Sequence, residues 1–146
     1  MSVDIREIAR RDREELWNKG DLSVADEIIA PNCVHHINDP ITPALATGPE
    51  GAKKAVSTYR RAFPDLHITI EDMIAEGDRV VVRWTSRGTH NGELMGFPPT
   101  HMKITVTGID IYRIAEGRIQ EFWLNWDTMG FMQQLGLEPL PARAMA

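Results

Sequence analysis

"GIDIYRIAEGRIQEFWLNWD", residues 108 to 127, holds two alternating runs of apolar and polar residues separated by Glu116–Gly117. Alternation with a period of two marks β-strands, and a short Gly-containing break between them marks a two-residue hairpin turn. That turn sets Ala115 opposite Arg118, Tyr112 opposite Glu121, Asp110 opposite Trp123, Gly108 opposite Asn125 and Val106 opposite Asp127. Successive side chains of a strand point to opposite faces. One face is therefore expected to carry Val106, Gly108, Asp110, Tyr112, Glu121, Trp123, Asn125 and Asp127. The other carries Thr107, Ile109, Ile111, Phe122, Leu124 and Trp126. A slip of one residue in the pairing would exchange the two faces.

The second face is plainly apolar and must pack on helices or on another subunit. The first mixes large rings with carboxylates and an amide. Open water would suit its carboxylates and not its rings, and a dry core would leave Asp110 and Asp127 in need of partners. A partly enclosed pocket satisfies both demands. On this reading Asp110, Tyr112, Trp123 and Asn125, with Trp84 from a neighbouring strand, contact a ligand. Burial raises the pKa of a carboxylic acid and so suits it to acid/base work. Asp127 is one candidate for that role, and it is equally placed to cap the helix that begins at "TMGFMQQLG". Asp110 has its own structural reading, as a strand carboxylate paired with an arginine such as Arg83.

Working outward, residues 2–18 place Ile5, Ile8, Ala9, Asp12 and Leu16 at helical spacing, and Gly20 stops the run. "SVADEIIA" reads as a short helix with Ser23 as N-cap, and "NCVHHI" as a short strand. "NDPITPALATGPEG" is a loop, and "EGAKKAVSTYRRAF" a third helix ended by Pro64. From Leu66 the pattern turns to β, with "LHITIEDMIA" and "RVVVRWTSRGTH" joined at "EGD". "NGELMGFPPT" connects that hairpin to the second one, and "TMGFMQQLG" is a last helix. Helices first, a strand meander next and one closing helix define an α+β domain spanning residues 1–146.

The composition narrows the function. The chain has 146 residues, a net charge of -5 and a pI near 5.5. It has no Lys/Arg cluster of the kind that grips nucleic acid or an anionic membrane. No apolar run approaches the ~20 residues of a membrane span, and the N-terminus lacks a signal-peptide core, so a cytoplasmic protein is expected. Cys33 is the only cysteine, which rules out an intrachain disulfide. His35 and His36 are adjacent and cannot share one ion from a strand, and no H-x-x-x-H spacing occurs, so no metal site is expected. Neither a phosphate-binding glycine loop nor a Gly-x-Ser-x-Gly elbow is present, and no cofactor is expected.

The chain closely resembles the SnoaL-like polyketide cyclase family. The resemblance rests on "GDLSVADEIIAPNCVHH" (20–36), "AFPDLHITIEDMIAEGDRVVVRWTSRGTH" (62–90), "GELMGFPPT" (92–100), "GIDIYRIAEGRIQEFW" (108–123) and "MQQLG" (132–136). It implies the cone of the nuclear transport factor 2-like superfamily, in which a curved antiparallel sheet wraps N-terminal helices and encloses a pocket. It also implies cofactor-independent ring closure of a hydrophobic small molecule by intramolecular aldol condensation. The family's acid/base Asp stands at the end of the last long strand, and the matching position is Asp127. His36 matches a position where relatives carry a histidine near the cavity mouth and is the second catalytic candidate beside Asp127, and strand alternation lets only one of His35 and His36 point inward. His101 stands where relatives more often have glycine or a basic residue.

Two other functions fit the same fold, because function lies in the site and not in the scaffold. Epoxide hydrolysis needs an Asp-Arg-Asp set around a water, to which Asp110 and Arg83 would contribute, though Asn125 replaces an expected acid. The other is non-catalytic binding of a small molecule. A homodimer or a tetramer, assembled through the face bearing Ile109, Ile111, Phe122, Leu124 and Trp126, is expected in every case.

Overall fold

The structure, a computed structural model, describes residues 4–37, 39–42 and 44–137. Its geometry is set by the second hairpin, strands β4 (Lys103–Ala115) and β5 (Arg118–Trp126). Glu116 and Gly117 both take positive φ, 55° and 74°, as a two-residue hairpin turn requires. Ala115 pairs with Arg118 as expected, and Ile114 with Ile119. The next pair is Arg113 with Glu121, so Gln120 has no partner and forms a bulge. Its side-chain amide donates to the Ala115 carbonyl at 2.9 Å.

That one extra residue reverses the phase of β5 beyond it. Tyr112 now faces Phe122, Asp110 faces Leu124, and Gly108 faces Trp126. The expected face is therefore correct for β4, where Val106, Asp110 and Tyr112 point inward and are buried. For β5 it is corrected: Phe122, Leu124 and Trp126 turn inward, and Glu121, Trp123 and Asn125 lie on the outer face.

Three more strands complete the curved, unclosed sheet: β1 (Ile29–Ile37), β2 (His67–Glu76) and β3 (Arg79–Thr89), in the order β1-β5-β4-β3-β2. The sheet is not wholly antiparallel as expected, because β1 runs parallel to β5. A parallel pair needs a long connection, and here a helix (Pro49–Ala62), the β2–β3 hairpin and β4 intervene between the two strands.

The helices fill the concave side. The first expected helix is α1 (Ile5–Arg11) continued by a π-helical segment, Asp12–Asn18, and the first three residues of the chain lie outside the described residues. In α2 (Ser23–Ile28) the expected cap Ser23 is instead the first helical residue: Leu22 holds the N-cap position without a side-chain cap bond, and Asp21 accepts from the Ser23 backbone. Helix α3 (Pro49–Ala62) turns a face of small residues, Gly51, Ala52 and Ala55, inward, so it seats closely without filling the space beneath it. Helix α4 (Thr128–Gln134) is tied to β4 by paired bonds: Thr105 N donates to Gln134 Oε1 at 2.7 Å, and Gln134 Nε2 donates to the Thr105 carbonyl at 2.9 Å. Leu16, Val24, Ile28, Val56, Phe63, Val80, Val82 and Tyr112 form the dry centre, each 2% exposed or less. Burial of side chains this size contributes about 1.5–3 kcal/mol each.

Deleting Gln120 removes the bulge and leaves the pairing beyond it unchanged, because Glu121 then follows Ile119 and still stands opposite Arg113. The expected result is a retained fold, seen as retained near-ultraviolet tryptophan dichroism, and loss of that signal would show that the bend at the bulge is itself required. Gln120→Ala keeps the residue count and is expected to keep that signal, with the midpoint of thermal unfolding only slightly lowered.

Candidate active site

Six aromatic rings surround a cavity of about 80 Å³ between the sheet and the helices: Trp17, Tyr59, Phe63, Trp84, Trp126 and Phe131. Neighbouring rings sit edge-on or tilted, with Tyr59 to Trp126 at 6.1 Å, Trp126 to Phe131 at 5.1 Å and Phe63 to Phe131 at 5.7 Å. Their polar tips have partners: Trp126 Nε1 donates to Asp39 at 2.8 Å, the Tyr59 hydroxyl bonds Thr42 at 2.8 Å, and Trp84 Nε1 donates to Asp110 at 3.0 Å. An apolar wall with satisfied polar tips is the construction of a small-molecule pocket.

Arg13 forms the floor. It comes from the π-helical segment, a geometry often found at functional sites. The side chain is buried, yet it lines this cavity and an adjoining one of about 40 Å³. The guanidinium lies 5.6 Å from the Trp17 ring centre and 5.5 Å from those of Trp84 and Phe122. Its Nε donates to Asp110 Oδ2 at 2.7 Å, and Asp12 Oδ2 is 3.7 Å from the same nitrogen. Nη2 also contacts Asp110, so two nitrogens of the guanidinium are held by the same carboxylate.

Tyr112 completes the cluster. Its hydroxyl is 2.7 Å from Asp12 Oδ2 and 3.1 Å from Asp110 Oδ2. Burial by itself would lower the Arg13 pKa, but Asp110, Tyr112 and Asp12 outweigh it and hold the guanidinium charged. An ion pair alone would also lower Asp110. Its pKa is raised instead, because complete burial and the neighbouring Asp12 outweigh the guanidinium and the bonds from Trp84 and Arg13. Burial, first, and then the two carboxylates push the Tyr112 phenol well up, so it stays protonated. Two acids share one cation, and one of them is favoured to keep a proton.

The smaller cavity shares Arg13, Trp17, Ile37, Ala55 and Leu124 with the larger one and adds Asp12, Cys33, His35 and Tyr112. Burial, with Asp12 and Glu121 adding to it, pushes the Cys33 thiol up to about 12, which makes it a neutral packing group.

Of the residues named from sequence, Trp84 lines the larger cavity, while Asp110 and Tyr112 lie inside the cone, with Asp110 behind the lining. Trp123 and Asn125 do not contact either cavity, because the bulge places them outside. His36 is also on the outer face, stacked on Trp123 at 5.2 Å and bonded to Glu121 at 2.7 Å. The inward histidine is His35, whose Nε2 lies 2.9 Å from the Gly48 carbonyl. Arg83 pairs with Asp72 on the exposed surface and not with Asp110.

Asp127 is exposed and serves as the N-cap of α4, accepting from Gly130 N at 2.9 Å. It does not line either cavity. The residues the sequence reading missed are Asp12 as a site acid, Arg13 and Trp126. Asp12 on an otherwise apolar helix face was the available signal. Arg13, one turn after the buried Ala9, stands at the edge of that face, where an arginine ordinarily reaches solvent.

A curved, unclosed sheet wrapped over helices around an aromatic cavity is the architecture of the nuclear transport factor 2-like fold. The SnoaL-like polyketide cyclase profile matches residues 7–135, and this chain belongs to that family. It is 29% identical over 127 residues to the nogalonic acid methyl ester cyclase of Streptomyces nogalater, covering 86% of this chain and 92% of the relative. It is 31% identical to the aklanonic acid methyl ester cyclase DnrD of Streptomyces peucetius, over 79% of this chain and 75% of the relative. Among solved structures it is similar to TsrD from Streptomyces laurentii, with a TM-score of 0.79 and 29% identity over 94% of this chain and all (100%) of that one. IdmH from Streptomyces antibioticus gives 0.77 and 32% over 92% and 100%.

Removing one partner of a buried ion pair leaves a bare charge and costs about 3–5 kcal/mol, whereas replacing both with apolar groups is far milder. Arg13→Met is therefore expected to lower stability in urea titration by that amount. Arg13→Met combined with Asp110→Leu is expected to recover at least half of the loss. Equal losses in the single and double variants would show that the pair does not act as a unit.

Proposed function

We propose that the protein closes a ring in a hydrophobic small molecule by cofactor-independent acid/base catalysis, of the intramolecular aldol type. The observation that carries this reading is the buried, charged Arg13, which lines both cavities. A substrate carbonyl in the aromatic cavity accepts a bond from Arg13, which stabilises the oxyanion as the carbon–carbon bond forms. The Asp12/Asp110 pair takes the α-proton and returns a proton to the alkoxide. General acid/base catalysis contributes only ~10²–10⁴-fold, so the α-carbon must be acidified by flanking carbonyls. The curated relatives are named for nogalonic and aklanonic acid methyl esters, which makes those esters the first substrates to offer.

Intramolecular aldol closure conserves mass, so turnover is expected as an isomeric product in chromatography with mass detection. Arg13→Lys keeps the charge and loses the fork, and is expected to lower kcat by about 10²–10³-fold. Asp127→Asn retains a good cap and is expected to keep activity within a few-fold. Loss of turnover in Asp127→Asn with unchanged stability would move the acid/base role to the position the family resemblance implies.

A second reading is favoured by one observation. Asp12, Arg13 and Asp110 form an Asp-Arg-Asp set, with Arg13 in the place expected of Arg83. On an epoxide such a set would add water, and the product would be heavier by one water than the substrate.

The protein is further proposed to form a homodimer or tetramer through its outer sheet face. Phe122, Leu124 and Trp126 are withdrawn from that face, which leaves a row running across the strands through Ile74, Val81, Ile111 and Trp123, with Ile74 65% exposed. Light scattering at micromolar concentration is expected to give at least twice the chain mass, and Trp123→Glu to give a monomer. A monomeric wild type would overturn the proposal.

A further inference from the structure

Asp110 is completely buried and does not line either cavity, so a proton held there has no direct way to a ligand. Its bonding partners among the described residues are Arg13, Trp84 Nε1 and the Tyr112 hydroxyl. A guanidinium and an indole only donate. The Tyr112 hydroxyl both accepts and donates, and its other neighbour is Asp12 at 2.7 Å. Asp12 comes from the opposite layer and lines the smaller cavity beside Arg13, Cys33 and His35. That cavity, at about 40 Å³, exceeds the ~10–15 Å³ a water needs, and its polar lining groups give a water partners.

We propose that Asp110, Tyr112 and Asp12 form a proton relay, with Asp12 the group that exchanges protons with the contents of the smaller cavity. In the relay the O–H bond of the Asp110 carboxyl breaks as Tyr112 Oη takes its proton. Simultaneously the Tyr112 O–H bond breaks and that proton joins Asp12 Oδ2. The outcome is a carboxylate at Asp110, a carboxylic acid at Asp12 and an unchanged phenol. The groups facing the relay are Arg13 beside Asp12, Trp84 on β3, and Cys33 and His35 on β1. Arg13 stays charged throughout and holds both carboxyls in place. The smaller cavity is then the wet end of the site and the aromatic cavity its dry end. Delivery of the relayed proton to a substrate rests on the acid/base reading above, whereas the relay itself operates without substrate.

The test uses the full chain with no ligand. The carboxylic-acid stretch of Asp110 is followed by infrared spectroscopy, identified by its absence in Asp110→Asn, and its rate of exchange is measured after dilution into D₂O. Removing one hydrogen-bonded link is expected to slow exchange at least about tenfold. Tyr112→Phe and Asp12→Asn should both show this slowing while the amide exchange of the surrounding strands is unchanged. Unchanged carboxyl exchange in both variants overturns the relay, as does the absence of an Asp110 carboxylic-acid band at every pH where the protein is folded. Slowing matched by altered amide exchange in both variants counts against it too, since the effect then follows the opening of the fold. None of these readings uses turnover, so a failed relay and a failed cyclase assignment are distinguishable.

Discussion

A guanidinium removed from water must have its charge answered at once, and Arg13 imposes that requirement on everything around it. An isolated buried ion costs several kcal/mol even after the protein relaxes. Asp110 and Asp12 supply the counter-charge, and the faces of Trp17, Trp84 and Phe122 supply the softer part of the surroundings. The demand then spreads to the sheet. Trp84 can bond Asp110 only by lying flat against β4, and Gly108 makes room, since a Cβ there would stand 2.2 Å from the indole ring. A glycine in a strand interior normally weakens it. Here it seats the ring that holds the acid that balances the cation.

Two irregularities of one residue each place these groups. Arg13 follows the buried Ala9 by one turn and so stands at the edge of the face bearing Ile8, Ala9, Asp12 and Leu16. In the π-helical segment Asp12 and Arg13, though adjacent, are both buried. On the facing strand, the bulge at Gln120 turns Phe122, Leu124 and Trp126 inward. The cavity is bounded by one segment that is wound too loosely for an α-helix and one strand that is a residue too long for its partner.

This explains how much could be read from the sequence. Strands were legible because alternation survives any tertiary context that leaves one face buried, and the turn was legible because Glu116–Gly117 has few conformations open to it. The helices, the hairpins and the cone all follow from such local signals or from the family resemblance. The inward face was legible only on the strand without an insertion: Asp110 and Tyr112 on β4 point inward as read, while Trp123 and Asn125 on β5 point outward and Asp127 caps α4. A bulge leaves no trace in hydrophobic alternation when both phases of the strand carry rings, as Phe122-Trp123-Leu124-Asn125-Trp126 does. The same ambiguity misled the reading of His35 and His36, where the register of a short edge strand decides which histidine faces inward. Arg13 was hidden for a different reason, because a buried arginine is recognisable only by its partners, and the one it hydrogen-bonds, Asp110, lies 97 residues away in the chain.

Membership of the SnoaL-like family and the chemistry of this site are separate matters. The chain shares 29–31% identity with the two cyclases named above and belongs to their family, which defines the cone and leaves the site's own residues to be read one by one. The inward positions of β5 carry Phe122, Leu124 and Trp126, so the last long strand brings no carboxylate to either cavity. Acidic groups enter instead from β4 and from the N-terminal helical layer, and both are bound to the same cation. A carboxylate standing alone on a strand end would be free to act on whatever entered the cavity. A carboxylate locked to Arg13 from behind can act only through a neighbour that reaches the lining. The burial that raises the acidity threshold of Asp110 thus also separates the proton's storage place from the place where it is used, and Tyr112 is the one hydroxyl positioned between them.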